Sequence, residues 1–269
     1  MMSDFVFFVC ISIISIIMKR YDLIDSLRGL AVISMILYHA CWIMNHFGIL
    51  ITSEMMTGTA FMIWQRSICI SFITIAGCSF PFGRHHLRMG LILSGIGAMI
   101  TALTWIFVPE IRIVFGILTF LGAATLLMIP LDKAVGRSDS RSISVAMFVV
   151  STVVFLFTYN INQGYLGFGP GPFISLPKAL YKGYVAAFFG FLEPGFFSTD
   201  YFSVLPWIFL YTAGYFLNKI VLGTRVEDKV LKKNIPGVSA IGRHSLLIYL
   251  IHPIVLYLIF YIMSQSAIL

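Results

Sequence analysis

RYDLIDSLRGLAVISMILYHACWIMNH, residues 20–46, carries a charged edge into an apolar run that holds a histidine near its centre. The apolar part is long enough to cross a bilayer as a helix, which takes about 20 residues rising 1.5 Å each. On such a helix Arg28 and His39, eleven positions apart, differ by only about 20° in direction, so both project from one face. Trp42 and His46 continue that stripe. For a helix entering the membrane near Leu27, His39 lies ~18 Å along it, a little past the middle of a ~30 Å hydrocarbon core. An ionisable side chain is costly at that depth, and the face that carries it reads as the wall of a site.

The rest of the chain fits the same surroundings. Of its 269 residues, 59% are apolar and 11% charged, with a mean hydropathy of +0.96, whereas a soluble domain is about 25% charged. The expected fold is all-α, a polytopic transmembrane helical bundle of about seven spans near 27–46, 59–80, 89–108, 112–131, 143–159, 202–222 and 241–262. Residues 5–17, FVFFVCISIISII, add a short apolar helix that is open to three readings: an extra span or interfacial helix, an uncleaved signal-like segment, or a consequence of start-site choice. Residues 1–18 are therefore set apart as an N-terminal apolar segment, and 19–269 read as a single transmembrane domain. Between 160 and 201, Gly-Pro-Gly-Pro at 169–172 precedes an apolar piece around Leu180–Leu192, expected as a re-entrant or interfacial helix.

The net charge of +7 does not point to nucleic acid, because the basic residues sit in short clusters between apolar runs. With the start of the first clear span in the cytoplasm, all of the 18 Lys and Arg fall inside except Arg66, Arg112, Lys178 and Lys182. That asymmetry sets the orientation and leaves the C-terminus outside. Cys10, Cys41, Cys69 and Cys78 have no CxxC spacing and read as small buried hydrophobes. No His, Cys and carboxylate spacing suggests a metal site.

Four stretches carry a family resemblance. Asp25-Ser-Leu-Arg28-Gly29-Leu30 followed by His39 resembles the opening of the integral-membrane acyltransferase superfamily. Arg66 to Gly90, with Gly77 where helices approach closely, TDYFSVLPWIFLYTAGY at 199–215, and IGRHSLLIYLIHPIVLYLI from Ile241 match further segments. The chain is most similar to bacterial relatives of the lysosomal heparan-alpha-glucosaminide N-acetyltransferase catalytic domain. The resemblance implies an enzyme of a bacterial inner membrane that moves an acyl group from cytosolic acyl-CoA to an extracytoplasmic glycan or amino-sugar acceptor. It further implies acetyl-CoA as the donor, histidine assistance and no metal, and it leaves a homodimer open.

His39, His252 and His46 are the expected catalytic histidines. The lysosomal relatives carry asparagine at the position of His39 and a histidine farther along, to which His46 is the nearest counterpart, so the division of labour between these two stays open. Ser245, Tyr249 and His252 fall at i, i+4 and i+7 on one helical face. His252 reaches nearly the depth of His39, and Pro253 beside it frees a carbonyl, so a packing role for His252 is the alternative. Arg28, Arg84 and Arg88, with Ser245 and Tyr249, are expected to hold the donor, since arginine forks suit phosphate oxygens, whereas the plain reading of such loops is topogenic charge. His85 and His86 read as loop residues. Arg66, Asp200 and Trp207 are expected at the acceptor, against snorkelling for Arg66 and an aromatic-belt role for Trp207.

There is no GxSxG elbow or triad spacing for a serine hydrolase. A transporter or flippase also suits buried His and Arg, but transporters usually show paired broken helices in two related halves, and none is evident. A membrane scaffold would leave the polar stripes without a purpose.

Overall fold

The structure, a computed structural model, describes residues 21–135, 140–169, 171–222, 224, 227, 233 and 235–266. The N-terminal apolar segment, and the chain through Arg20, lies outside the described residues. The helices in chain order are α1 (Asp22–His46), α2 (Ser53–Thr57), α3 (Thr59–Ser79), α4 (His86–Phe107), α5 (Ile117–Val135), α6 (Arg141–Thr158), α7 (Gly183–Phe189), α8 (Val204–Val221), α9 (Val238–Arg243) and α10 (Ser245–Ser266). Seven of them, α1, α3, α4, α5, α6, α8 and α10, are long and apolar enough to cross a membrane. The chain is an all-α polytopic helical protein.

Local chemistry sets the helix ends. Asp22 and Asp25 occupy the first turn of α1, where carboxylates complement the positive end of the helix dipole. Ser140 accepts the Ile143 amide at 3.4 Å and opens α6. Gly190, at φ +112°, ends α7, and a Cβ there would lie 2.6 Å from the Leu205 carbonyl.

The chain divides into two compact units, residues 1–75 with 223–269 and residues 76–222, the division falling within α3. In the first, Val32 and Met35 of α1 and Ile68 of α3 form a buried cluster against which Tyr38, Trp64, Ile248 and Tyr249 pack. The Trp64 indole donates to Ser34 Oγ at 2.8 Å. α9 crosses the start of α1 at two glycines: a Cβ on Gly29 would collide with the Val238 carbonyl, and one on Gly242 with the Asp25 carbonyl. Only residues without side chains permit that approach.

α10 then runs parallel to α1. Contacts advance along both helices together, from His39 with His252, through His46 with Tyr257, to Phe47, just past α1, with Tyr257 and Tyr261. First and last spans with the same direction require an odd number of crossings between them, and α3, α4, α5, α6 and α8 supply five. α7 is not a sixth, because its seven residues reach only about 10 Å.

The second unit is more deeply packed. α4 and α5 meet along small residues: Gly90 beside Leu126, Gly97 beside Thr119 and Gly122 beside Ser94. α8 is the most buried span, with Tyr211, Ala213, Tyr215 and Phe216 in the core. The close approach expected at Gly77 is present, since a Cβ there would run into the Tyr211 carbonyl, and Cys78 Sγ donates to Gly214 O at 3.1 Å.

Three boundaries differ from the sequence expectation. The last span, expected as one helix from 241, is broken at His244 into α9 and α10, with Gly237 at φ +82° before it. The span expected from 112 begins at Ile117, after a 3₁₀ turn at Pro109–Ile111. His86, expected in a loop, is the first residue of α4 and stacks on Phe80 with ring centroids 3.9 Å apart. The connection after α6 holds a small hairpin, β1 (Tyr165–Leu166) pairing antiparallel with β2 (Ile174–Ser175), and Asn160 Nδ2 donates to the Gly169 carbonyl across it.

Candidate functional site

In the first unit, α1 supplies His39 and α10 supplies His252. His39 Nδ1 lies 2.6 Å from His252 Nε2, and the rings lie at 23° with centroids 4.8 Å apart. His252 is buried and His39 partly so. On its other side, His252 Nδ1 is 2.9 Å from the Tyr249 carbonyl and 3.1 Å from the Ile248 carbonyl. Among the described residues no hydrogen bond reaches His39 Nε2. A ring nitrogen held in place with no partner is the arrangement a general base needs.

Two turns further along α1, the His46 ring lies parallel to Trp42, with centroids 6.2 Å apart, and sits 6.3 Å from Tyr257 of α10. It is exposed and belongs to an aromatic cluster at the helix end, without a place in the His39–His252 pair.

At the opposite end of α1, Arg28 Nη1 pairs with Asp25 Oδ1 at 2.9 Å, so any phosphate bound there shares the guanidinium with a carboxylate. Sequence reading did not single out Asp25 as that partner, although their i, i+3 spacing is the signal for it. Arg243 Nη1 stands 3.9 Å from Asp22 Oδ1. Ser245 begins α10. Tyr249 packs its ring into the core beside Val32, and its contribution to His252 is the backbone carbonyl.

In the second unit, Arg84, His85, His86, Leu87, Arg88 and Ile129 line a cavity of about 420 Å³. Both arginines are exposed. The hydroxyl of the buried Tyr215 donates to Asp132 Oδ1 at 2.5 Å, joining α8 to α5.

Asp200 has a definite structural duty. Its Oδ2 accepts the Ile117 amide at 3.1 Å and caps α5, while the neighbouring residues stitch the segment down through Val114 N–H to Ser198 Oγ at 2.9 Å and Phe202 N–H to Phe115 O at 2.8 Å. Trp207 lies in an aromatic cluster with Phe155, Tyr159 and Phe202. Tyr201 donates to the Ala187 carbonyl at 2.5 Å and Tyr181 to the Ile161 carbonyl at 2.6 Å. Burial pushes both phenols above their ordinary range, so they act as neutral donors that fasten the long connection. Arg66 is exposed on α3, in the first unit, whereas Asp200 and Trp207 belong to the second.

Of the expected site residues, the structure brings His39, His252 and the Tyr249 backbone together in one unit, and Arg84 with Arg88 at one cavity in the other. Among the described residues no group of three or more His, Cys, Asp or Glu is placed to hold a metal ion.

These observations define a polytopic membrane protein with a hydrogen-bonded histidine pair between its first and last spans. The chain belongs to the family described as heparan-alpha-glucosaminide N-acetyltransferase, catalytic, which it matches over residues 20–254, a stretch that contains both histidines. Comparison with curated proteins and with solved structures finds no match.

Proposed function

We propose that the protein is a membrane acyltransferase that moves an acyl group, acetyl by its family, from cytosolic acyl-CoA to an extracytoplasmic glycan or amino-sugar acceptor. The observation that carries this is the His39–His252 pair, which lies inside the family match and presents an unpartnered ring nitrogen. The match runs through both units, which supports reading residues 19–269 as one catalytic domain; a bacterial inner membrane is its proposed location.

A thioester arrives already activated, so the protein has three tasks. It must take the proton of the acceptor, steady the tetrahedral oxyanion and allow the thiolate to leave. His39 takes the proton from the acceptor nitrogen or oxygen as that atom bonds to the acyl carbon. The C–S bond then breaks, and the proton passes to the departing thiolate, giving the acylated acceptor and free CoA thiol. His46 is the alternative base. Arg28, ~16 Å below His39 along α1, offers a phosphate contact shared with Asp25. The cavity wall at Arg84 and Arg88 offers two guanidinium forks to the donor's phosphates. Ser245 and Tyr249 complete the donor assignments, and Arg66, Asp200 and Trp207 the acceptor side.

The direct test incubates purified protein with acetyl-CoA labelled on the acetyl group and a panel of amino sugars and glycans. Thiol release together with label in one glycan fraction is the expected result. No release with any acceptor would end the acyltransferase reading. Orientation has its own test: Gly171→Cys in the exposed hairpin should react with an impermeant maleimide from outside intact cells, and Ala134→Cys near the end of α5 should not. The reverse labelling would exchange the donor and acceptor sides.

A further inference from the structure

We infer that His252 is a positioning residue that sets the tautomer of His39, and that Pro253 is what enables it to do so. The inference rests on the reading of His39 as proton acceptor and specifies which of its nitrogens serves. It starts from the helix backbone. In a regular helix the Tyr249 carbonyl would accept the amide of residue 253, but Pro253 has none, so that carbonyl is left without its helical donor. A helical carbonyl that loses its backbone amide in apolar surroundings is costly, and the His252 ring donates to this one, with Nδ1 2.9 Å from Tyr249 O.

A carbonyl oxygen only accepts, so the proton of the His252 ring is on Nδ1. A neutral imidazole carries one N–H, which leaves a lone pair on His252 Nε2. That lone pair faces His39 Nδ1 at 2.6 Å, so His39 Nδ1 is the donor between them. By the same count His39 Nε2 is bare. The missing amide of one proline thus passes, through two rings, into a lone pair aimed away from the pair and toward the acceptor.

The same chain of bonds serves the protonated state. When His39 Nε2 takes the acceptor's proton, Nδ1–H still donates to His252 Nε2, and the imidazolium is held in the orientation it had as a base. In hydrolase triads a carboxylate performs this orienting task. Here a neutral ring does so, at a depth where a second full charge would be expensive. No proton is gained or lost in the pair over a full turnover.

The test reads the tautomers directly. Protein labelled with ¹⁵N-histidine is placed in nanodiscs, and two-bond proton–nitrogen correlations are recorded, with ring signals assigned by single His→Gln substitutions. Wild-type His39 and His252 should both show the Nδ1–H tautomer, the less common one for a free histidine side chain. In Pro253→Ala the restored backbone amide takes the Tyr249 carbonyl, and His39 should shift toward the Nε2–H form with a severalfold fall in kcat and an unchanged KM for acetyl-CoA. His252→Gln keeps an oxygen able to accept from His39 Nδ1–H, so it should recover most of the turnover lost in His252→Leu. A wild-type His39 carrying its proton on Nε2 overturns the inference, as does a glutamine variant no better than leucine. The tautomer spectrum needs no substrate, so an Nδ1–H pair in a protein that releases no thiol would retire the acyltransferase reading and leave the relay standing.

Discussion

Two polar pairs, one in each unit, teach different things. Asp132–Tyr215 links α5 to α8, and His39–His252 links α1 to α10; both are short and both join residues distant in sequence. The first lies between the two most buried spans, with 44% and 56% of their membrane windows covered, and the second between spans with only 28% and 6% covered. A phenol donating to a carboxylate is a bond that ends where it begins. The histidine pair instead carries a donor at one end to a bare acceptor at the other. On the proposed reading, then, scaffold and chemistry differ here in whether the hydrogen bonds of the pair close, and depth of burial is the poorer guide.

The sharpest way to break that contrast is His39→Ala. Loss of a general base typically lowers rate by ~10²–10⁴, so turnover should nearly vanish while donor binding, read by isothermal titration, changes little. Turnover within a few-fold of wild type would move the base to His46. A middle-sized effect is expected for Arg84→Ala with Arg88→Ala: about a tenfold rise in KM for acetyl-CoA at unchanged protein level and kcat, since each guanidinium offers a charge-assisted bond to phosphate. An unchanged KM would reduce both arginines to topology signals. Tyr215→Phe should move activity least. Removing the hydroxyl leaves Asp132 short of one hydrogen bond and should cost ~1–3 kcal/mol, read as a lower melting temperature, with kcat per folded molecule unchanged. A catalytic defect there would erase the distinction between the two pairs.

Spans were legible because hydropathy and length suffice to find them, and each of the two histidines was legible singly, as an ionisable group within an apolar run. Their matched depth also followed, from two entry points and the helical rise. Their contact did not, because it depends on α1 and α10 facing each other in parallel, and rotation about a helix axis is a property of packing. The break at His244 escaped for a similar reason: a hydropathy window scores bent and straight helices alike. The cap that Asp200 places on α5 was not legible, because its partner, the Ile117 amide, is 83 residues away. The hairpin at Tyr165–Ser175 has strands of two residues each, too short for any alternation to show.

The separation of 213 residues between His39 and His252 also orders events in time. The first span leaves the ribosome long before the last, and at ~5–20 residues per second the interval is about ten to forty seconds. Throughout it His39 stands in the membrane without its partner, while the whole second unit is being inserted. On the proposed reading, His39 acquires its orientation only when α10 docks, so a chain stopped anywhere before its final span would be inert as well as incomplete. Completion of synthesis and assembly of the histidine pair become a single event, and on that reading an unfinished protein would leave a thioester donor untouched.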